Sequence, residues 1–205
     1  MIPTRGFKGK RRDGDGDRLR LPPGQYLTGD FPVLTAGSTQ HTPLDRWNLS
    51  LQHGGSLLGV WTWKQFAALP QTEMTFDIHC VTKWSKFDTR WRGVLIDDLL
   101  RAAGLDAAPT NFLMAHCDGG YTTNLLLADL VEARAMIATH FDGSPLFPEH
   151  GGPARLLVPH LYFWKSAKWV RRLAFREDNT PGFWEACGYH LRGDPWREQR
   201  YEGDQ

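Results

Sequence analysis

The chain has 205 residues, 41% hydrophobic and 23% charged, with a net charge of +1. That is enough chain for one sizeable core, an ordinary soluble composition, and no field that would draw nucleic acid or an anionic membrane. No apolar run approaches the ~18 residues needed to cross a bilayer, and three cysteines without a repeated spacing give neither a disulfide framework nor a zinc site.

Residues 1–24 carry seven Lys and Arg against three Asp, with glycines between them. Such a stretch has too little apolar surface to offset its ordering entropy, so a flexible basic tail is expected. One domain follows over residues 25–205, its start marked by Pro22-Pro23-Gly24. Arg11-Arg12 is not followed by an apolar segment, so export by a twin-arginine route is not expected. With the unpaired cysteines, this places the protein in the cytoplasm.

Phe31-Pro32-Val33-Leu34 opens an extended segment. Trp47, Leu49 and Leu51 alternate with Asn48, Ser50 and Gln52, the pattern of a strand with one wet face. Thr62 and Gln65 form a capping box for a helix that Pro70 closes. Met74, Phe76, Ile78 and Cys80 then alternate with Thr75, Asp77, His79 and Val81, which predicts a strand delivering Cys80 to its end. The alternation stops there, predicting a polar loop from Thr82 through Lys86 to Asp88.

A short helix is expected over residues 93–104, with Asp97 and Asp98 near its start and Gly104 closing it in the left-handed conformation. A strand is expected over 111–117, an amphipathic helix over 127–134, strands over 136–141, 155–158 and 168–175, and a short helix in 181–190. Strands outnumber helices and are irregularly connected. The fold class is α+β, dominated by mixed β-sheet with short helices.

The common enzymatic fingerprints GxGxxG, GxxxxGK[ST], HExxH, GxSxG and CxxC are absent. Cys80, at a strand end beside lysines, sits where a thiolate is stabilised, and a thiolate is both nucleophile and soft metal ligand. An unpaired cysteine can equally just pack. The turn Cys117 to Thr123, CDGGYTT, either lets backbone and Asp118 approach a ligand or is a tight hairpin turn. His150 and Arg155, five residues apart, offer a donor and a planar fork to a phosphate, or form a surface salt bridge. In the segment 164–169, WKSAKW, two cations and a hydroxyl are bracketed by tryptophans, which favours a held phosphate or heterocycle over a solvated turn. Tyr189 is a buried phenol or an active-site donor.

Taken in order, five segments resemble the molybdopterin-binding domain of the sulfite oxidase family, closest to its short, haem-free prokaryotic members. They are LTGDFPVLTAG, HCVTKWSKFDTRWRGV, HCDGGYTTNL, EHGGPARLLVPHLYFWKSAKWVRRL and PGFWEACGYHLRGDPWREQRY. The resemblance implies molybdenum held by the dithiolene of one pterin and by the Cys80 thiolate. It maps the pterin and phosphate contacts onto His150, Arg155, Ser166, Ala167 and Lys168, with Asp118 at a further pterin-contacting turn. Tyr189 falls on the family's active-site tyrosine. The implied activity is two-electron oxygen-atom transfer on a small-molecule substrate, with electrons exchanged with a separate partner because no haem domain is present.

The positions after Cys80 read Val81-Thr82-Lys83-Trp84-Ser85, where sulfite-oxidising members place arginines. The alternatives are therefore a sulfoxide reductase of the same fold, acting on substrates such as oxidised methionine, and a non-catalytic carrier of the cofactor. Residues Thr35-Ala36-Gly37 stand where some relatives use Asn or His near the pterin.

Overall fold

A computed structural model describes residues 15–205, and their strands form two mixed sheets. A single helical turn, α1 (Asp15–Arg18), precedes β1 (Tyr26–Leu27). The hairpin β2 (Asn48–His53) and β3 (Ser56–Thr62) leads into α2 (Trp63–Ala67), and β4 (Thr72–His79) and β5 (Trp84–Leu95) into α3 (Ile96–Ala102). Then come β6 (Phe112–Cys117), β7 (Thr122–Leu126), β8 (Met136–Phe141), β9 (Ser144–Pro145), β10 (Arg155–Leu157) and β11 (Val170–Arg176). One sheet runs β1-β5-β8-β10, with β4 on β5 and β9 on β8; the other runs β3-β2-β11-β6-β7. The pairs β1–β5 and β2–β11 are parallel and the rest antiparallel, so the α+β, mixed-sheet expectation holds.

The main core lies between the sheets. Leu49 and Leu51 of β2, Leu113 of β6 and Leu173 and Phe175 of β11 meet Ile137 of β8 and Leu156 of β10, with Phe66 of α2 and Leu99 of α3 filling the ends. Strand alternation turns the neighbouring residues the other way. Met136, Ala138 and Leu157 therefore join Ile78, Cys80, Trp84 and Trp91 in a second cluster on the opposite face of the first sheet. Cys80, just past the end of β4, belongs to that second cluster and is 7% exposed, so the strand does not carry it out of the core as its position at the strand end suggests.

The capping box at Thr62 is present, with both Gln65 hydrogen bonds made. Gly104 closes α3 at φ +71°.

Three further expectations need correction. The polar stretch after Cys80 is a tight turn and not a long loop: Lys83 N–H donates to Cys80 O (2.9 Å) with Lys83 at φ +77°, and β5 begins at Trp84. Strand β5 pairs with β1, β4 and β8, and this backbone ladder outweighs its polar composition. The helix expected over 93–104 starts only at Ile96, because Gly93 to Leu95 remain in β5. A Cβ on Gly93 would lie 2.1 Å from Ile137 O, so the strand crosses β8 where no side chain fits.

The helix expected over 127–134 is a single turn, Leu127–Asp129. Glu132 and Ala133 adopt φ +60° and +57°, and their amides both donate to the Asp97 carboxylate at 2.9 Å. A distant side chain thus captures the backbone that a second turn of helix would have used.

Of the expected tail, residues 1–14 lie outside the described residues. In the remainder, Arg20 donates to Asp77 (2.6 Å) and Asp88 (2.7 Å) across the β4–β5 hairpin.

Candidate active site

One cavity of about 540 Å³ opens where the ends of β4, β6 and β10 converge. All eight residues singled out from the sequence line it: Cys80, Asp118, His150, Arg155, Ser166, Ala167, Lys168 and Tyr189. Cys80 follows β4, Asp118 follows β6, and Arg155 opens β10. His150 ends the turn Pro148–His150, and residues 166–168 connect the turn Phe163–Lys165 to β11. Gly151 sits at φ +103°, and a Cβ there would meet the Cβ atoms of Lys168 (3.0 Å) and Arg155 (3.1 Å). Only glycine lets these three segments close on one another.

In the cationic part of the cavity no described carboxylate pairs with Arg155 or Lys168. Arg155 is 1% exposed; its guanidinium donates to His150 O (2.8 Å) and Ser166 O, and its Nε has no partner. Its faces rest on Phe163 (4.3 Å) and Trp91 (5.7 Å). Lys168 Nζ donates to the carbonyls of Leu34 (2.7 Å) and Glu149 (2.5 Å). Among the described residues neither cation is in a salt bridge.

Burial lowers Arg155 to about 9, and burial together with Arg155 lowers Lys168 to about 8. His150 is also pushed down, by burial and by those two cations, and its buried Nδ1 is unpartnered. Buried charges without counter-ions and an orphaned ring nitrogen are costly on their own. They fit a phosphate, which would pair the charges and offer acceptors to the free N–H groups. The Ser166 hydroxyl accepts from Val158 N–H (2.9 Å) and keeps its own proton to donate.

The thiol end is different. Cys80 is 7% exposed and accepts from the Thr82 hydroxyl at 3.2 Å. Burial pushes the thiol up, against hydrogen bonds from Thr82 and the Val81 amide. The expected lysines do not reach it: Lys86 donates to Gly29 O (2.7 Å), and Lys83 is exposed and outside the cavity. A thiolate here therefore needs a bound cation, and a soft metal supplies one. Among the described residues no three His, Cys, Asp or Glu side chains are arranged to hold a metal, so a metal here must bring most of its ligands with it.

Aromatic rings form the surrounding wall, from Trp84, Phe163, Trp164, Phe183 and Trp184. Tyr189 packs against Trp164 and Trp184, with centroids 5.1 Å away in each case. Its phenol is pushed up by burial and by the nearby Tyr201 and Cys80.

Two residues behave differently from the expectation. The Asp118 carboxylate already accepts from Thr42 (2.7 Å) and Arg171 (3.1 Å), so it braces the turn on the cavity rim. Of the two cations in WKSAKW, Lys165 turns away and is buried against Glu185, leaving Lys168 on the cavity. The sequence reading missed Phe31, whose ring stacks on His150, and Tyr121, whose hydroxyl donates to Trp164 O at 2.7 Å. Neither stands in a local pattern that distinguishes it from core aromatics.

A family model for the oxidoreductase molybdopterin binding domain matches residues 36–184. The chain belongs to the sulfite oxidase-type molybdopterin oxidoreductases. As a member of this family it is a molybdenum- and molybdopterin-dependent oxidoreductase. It is 42% identical over 199 residues to an uncharacterized oxidoreductase, YuiH, of Bacillus subtilis, covering 97% of this chain and 100% of that one.

A putative protein-methionine-sulfoxide reductase subunit, YedZ1, of Azospira oryzae is 28% identical over 83% of this chain and 66% of its own length. Human mitochondrial sulfite oxidase is 29% identical over 49% of this chain, which spans only 20% of that protein. The crystal structure of the sulfane dehydrogenase SoxCD from Paracoccus pantotrophus shares the fold at TM-score 0.59 and 22% identity, over 68% of this chain and 40% of that one. No helix among the described residues of this oxidoreductase is long and apolar enough to cross a membrane.

Proposed function

We propose that the protein reduces an uncharged sulfoxide to its thioether, the oxygen leaving as water with two electrons and two protons taken up. The observation that carries the reading is the division of the cavity. Among the described residues, cations without a salt-bridge partner gather around Arg155, while no cation acts on Cys80 and aromatic rings wall its surroundings. Sulfite is anionic and needs cations at the thiol end, whereas a sulfoxide's alkyl groups need apolar walls. The likeness to YedZ1 supports the same choice.

In this reading His150, Arg155, Ser166, Ala167 and Lys168 hold the pterin phosphate, Asp118 braces the adjoining turn, and the Cys80 thiolate binds the metal. The molybdenum centre supplies two-electron oxygen-atom chemistry. The Thr82 hydroxyl and the Val81 amide orient the sulfur, the aromatic wall excludes water, and the Tyr189 hydroxyl donates a hydrogen bond to the substrate oxygen. Electrons come from a separate protein partner. Three free cysteines support a reducing, cytoplasmic setting.

Protein purified from a molybdate-supplied, cofactor-competent host is assayed with methionine sulfoxide plus a reduced dye, and with sulfite plus an oxidant. Sulfoxide reduction is expected. Turnover of sulfite alone would overturn the substrate, and protein without bound pterin would overturn the cavity assignment.

A further inference from the structure

Behind the aromatic wall lies a buried ion pair that cofactor binding does not use. Lys165 Nζ is 2.5 Å from Glu185 Oε1, with the side chains 1% and 0% exposed. Lys165 stands between the cavity residues Trp164 and Ser166, and Glu185 directly follows the cavity residue Trp184. The pair therefore joins the wall that carries the phosphate-side loop to the segment that carries Tyr189.

Its other contacts are directional. Glu185 Oε1 also accepts from the Trp164 indole N–H (2.9 Å) and the Thr123 hydroxyl (2.8 Å). Lys165 donates to the Asn124 carbonyl (2.9 Å) and the Leu191 carbonyl (2.6 Å), which ties it to β7 and to the chain beyond Tyr189. The Trp164 ring, so held, stands edge-on to Tyr189 at 5.1 Å and 80°. Gly193 closes the space behind it, since a Cβ there would lie 2.6 Å from the indole.

A buried ion pair is often no more stabilising than apolar residues of the same volume, and this one leaves Glu185 Oε2 without a partner. Stability alone gives little reason for charge at this place. Orientation does, because only an acceptor fixed from the far side can hold the indole by its N–H.

We infer that Lys165 and Glu185 are positioning residues: Glu185 anchors the Trp164 indole, Lys165 fixes Glu185, and the anchored ring sets the Tyr189 phenol in the cavity. This rests on the role proposed for Tyr189.

The test compares wild type with the double variant Lys165→Met/Glu185→Leu and with Glu185→Gln, which keeps an acceptor for the indole. The double variant is expected to keep its Tm and metal content, to shift the Trp164 indole N–H resonance, and to lose at least tenfold in kcat on methionine sulfoxide. The resonance is assigned by its loss in Trp164→Phe. Glu185→Gln is expected to keep kcat within threefold. Wild-type kcat in the double variant, or an unmoved indole resonance, would overturn the inference. Should the double variant not fold, a tenfold loss in Glu185→Gln at full metal content would do so. If loaded wild type reduces no sulfoxide, the functional reading falls and the indole resonance of the metal-free protein decides the anchor by itself.

Discussion

The ring of Phe31 lies flat on the imidazole of His150, with centroids 4.1 Å apart and 9° between their planes. Phe31 belongs to no strand, yet it also meets Trp84, Trp91, Phe141 and Phe163, so the irregular segment before β2 is pinned over the cavity. Phe31→Ala should cost about 1–3 kcal/mol of stability, the usual range for a partly buried aromatic. It should also shorten cofactor retention, measured as the rate of pterin loss on dilution.

Cys80→Ser should leave the fold and the phosphate contacts intact, because a serine oxygen can accept the hydrogen bonds that the thiol takes from Thr82 and the Val81 amide. A serine hydroxyl is a poor ligand for a soft metal. Pterin content near that of wild type, with turnover at least ~100-fold lower, is the expected result. That factor corresponds to about 2.7 kcal/mol. Full turnover by the serine variant would remove Cys80 from the metal.

Inorganic phosphate should stabilise the cofactor-free protein through Arg155 and Lys168. At ~100 times its Kd the gain is about 2.7 kcal/mol. Lys168→Met and Arg155→Met should each abolish most of the phosphate-dependent rise in Tm, and chloride at equal ionic strength should not reproduce it. A rise of equal size in both variants would mean that phosphate acts elsewhere.

Acid should destabilise the chain through two neutral histidines, His79 buried and His116 half-buried. Burial lowers His79 to about 4, and burial with Arg172 and Arg176 lowers His116 to about 4, from an ordinary 6.5. Each is neutral when folded, so the unfolded chain takes up the proton first. Stability is full above about 6.5, falls as pH drops towards 4, and levels below that. Urea midpoints between pH 7 and pH 4 should show this limb, and His79→Gln should flatten it. The Ser85 hydroxyl, 2.8 Å from His79 Nδ1, can then pair with the glutamine amide.

Gly93→Ala should be among the most destabilising small substitutions available. Its Cβ would meet Ile137 O at 2.1 Å, and relief requires moving β5 off β8. A loss of about 3–4 kcal/mol is expected, read from denaturant midpoints at constant m.

Local pattern was enough for the elements with one clear face. The alternation around Leu49 and Leu51, the capping box at Thr62 and the Met74–Cys80 strand all read correctly, because each is governed by side chains two to four residues apart. The eight candidate residues were singled out by motif spacing that resembles a family pattern, and the fold brings all of them to one cavity.

Long-range contact decided the rest. Polar β5 is a strand because three neighbours pair with its backbone, and residues 127–134 are not a helix because Asp97 takes the amides of Glu132 and Ala133. Lys165 and Lys168 are equivalent in the sequence, two cations three residues apart. Burial against Glu185 turns the first into a brace, while the second, with no carboxylate partner among the described residues, faces the cavity. Charge and residue type are written in the chain, but whether a charge is spent within the protein or left for a ligand depends on what packs beside it.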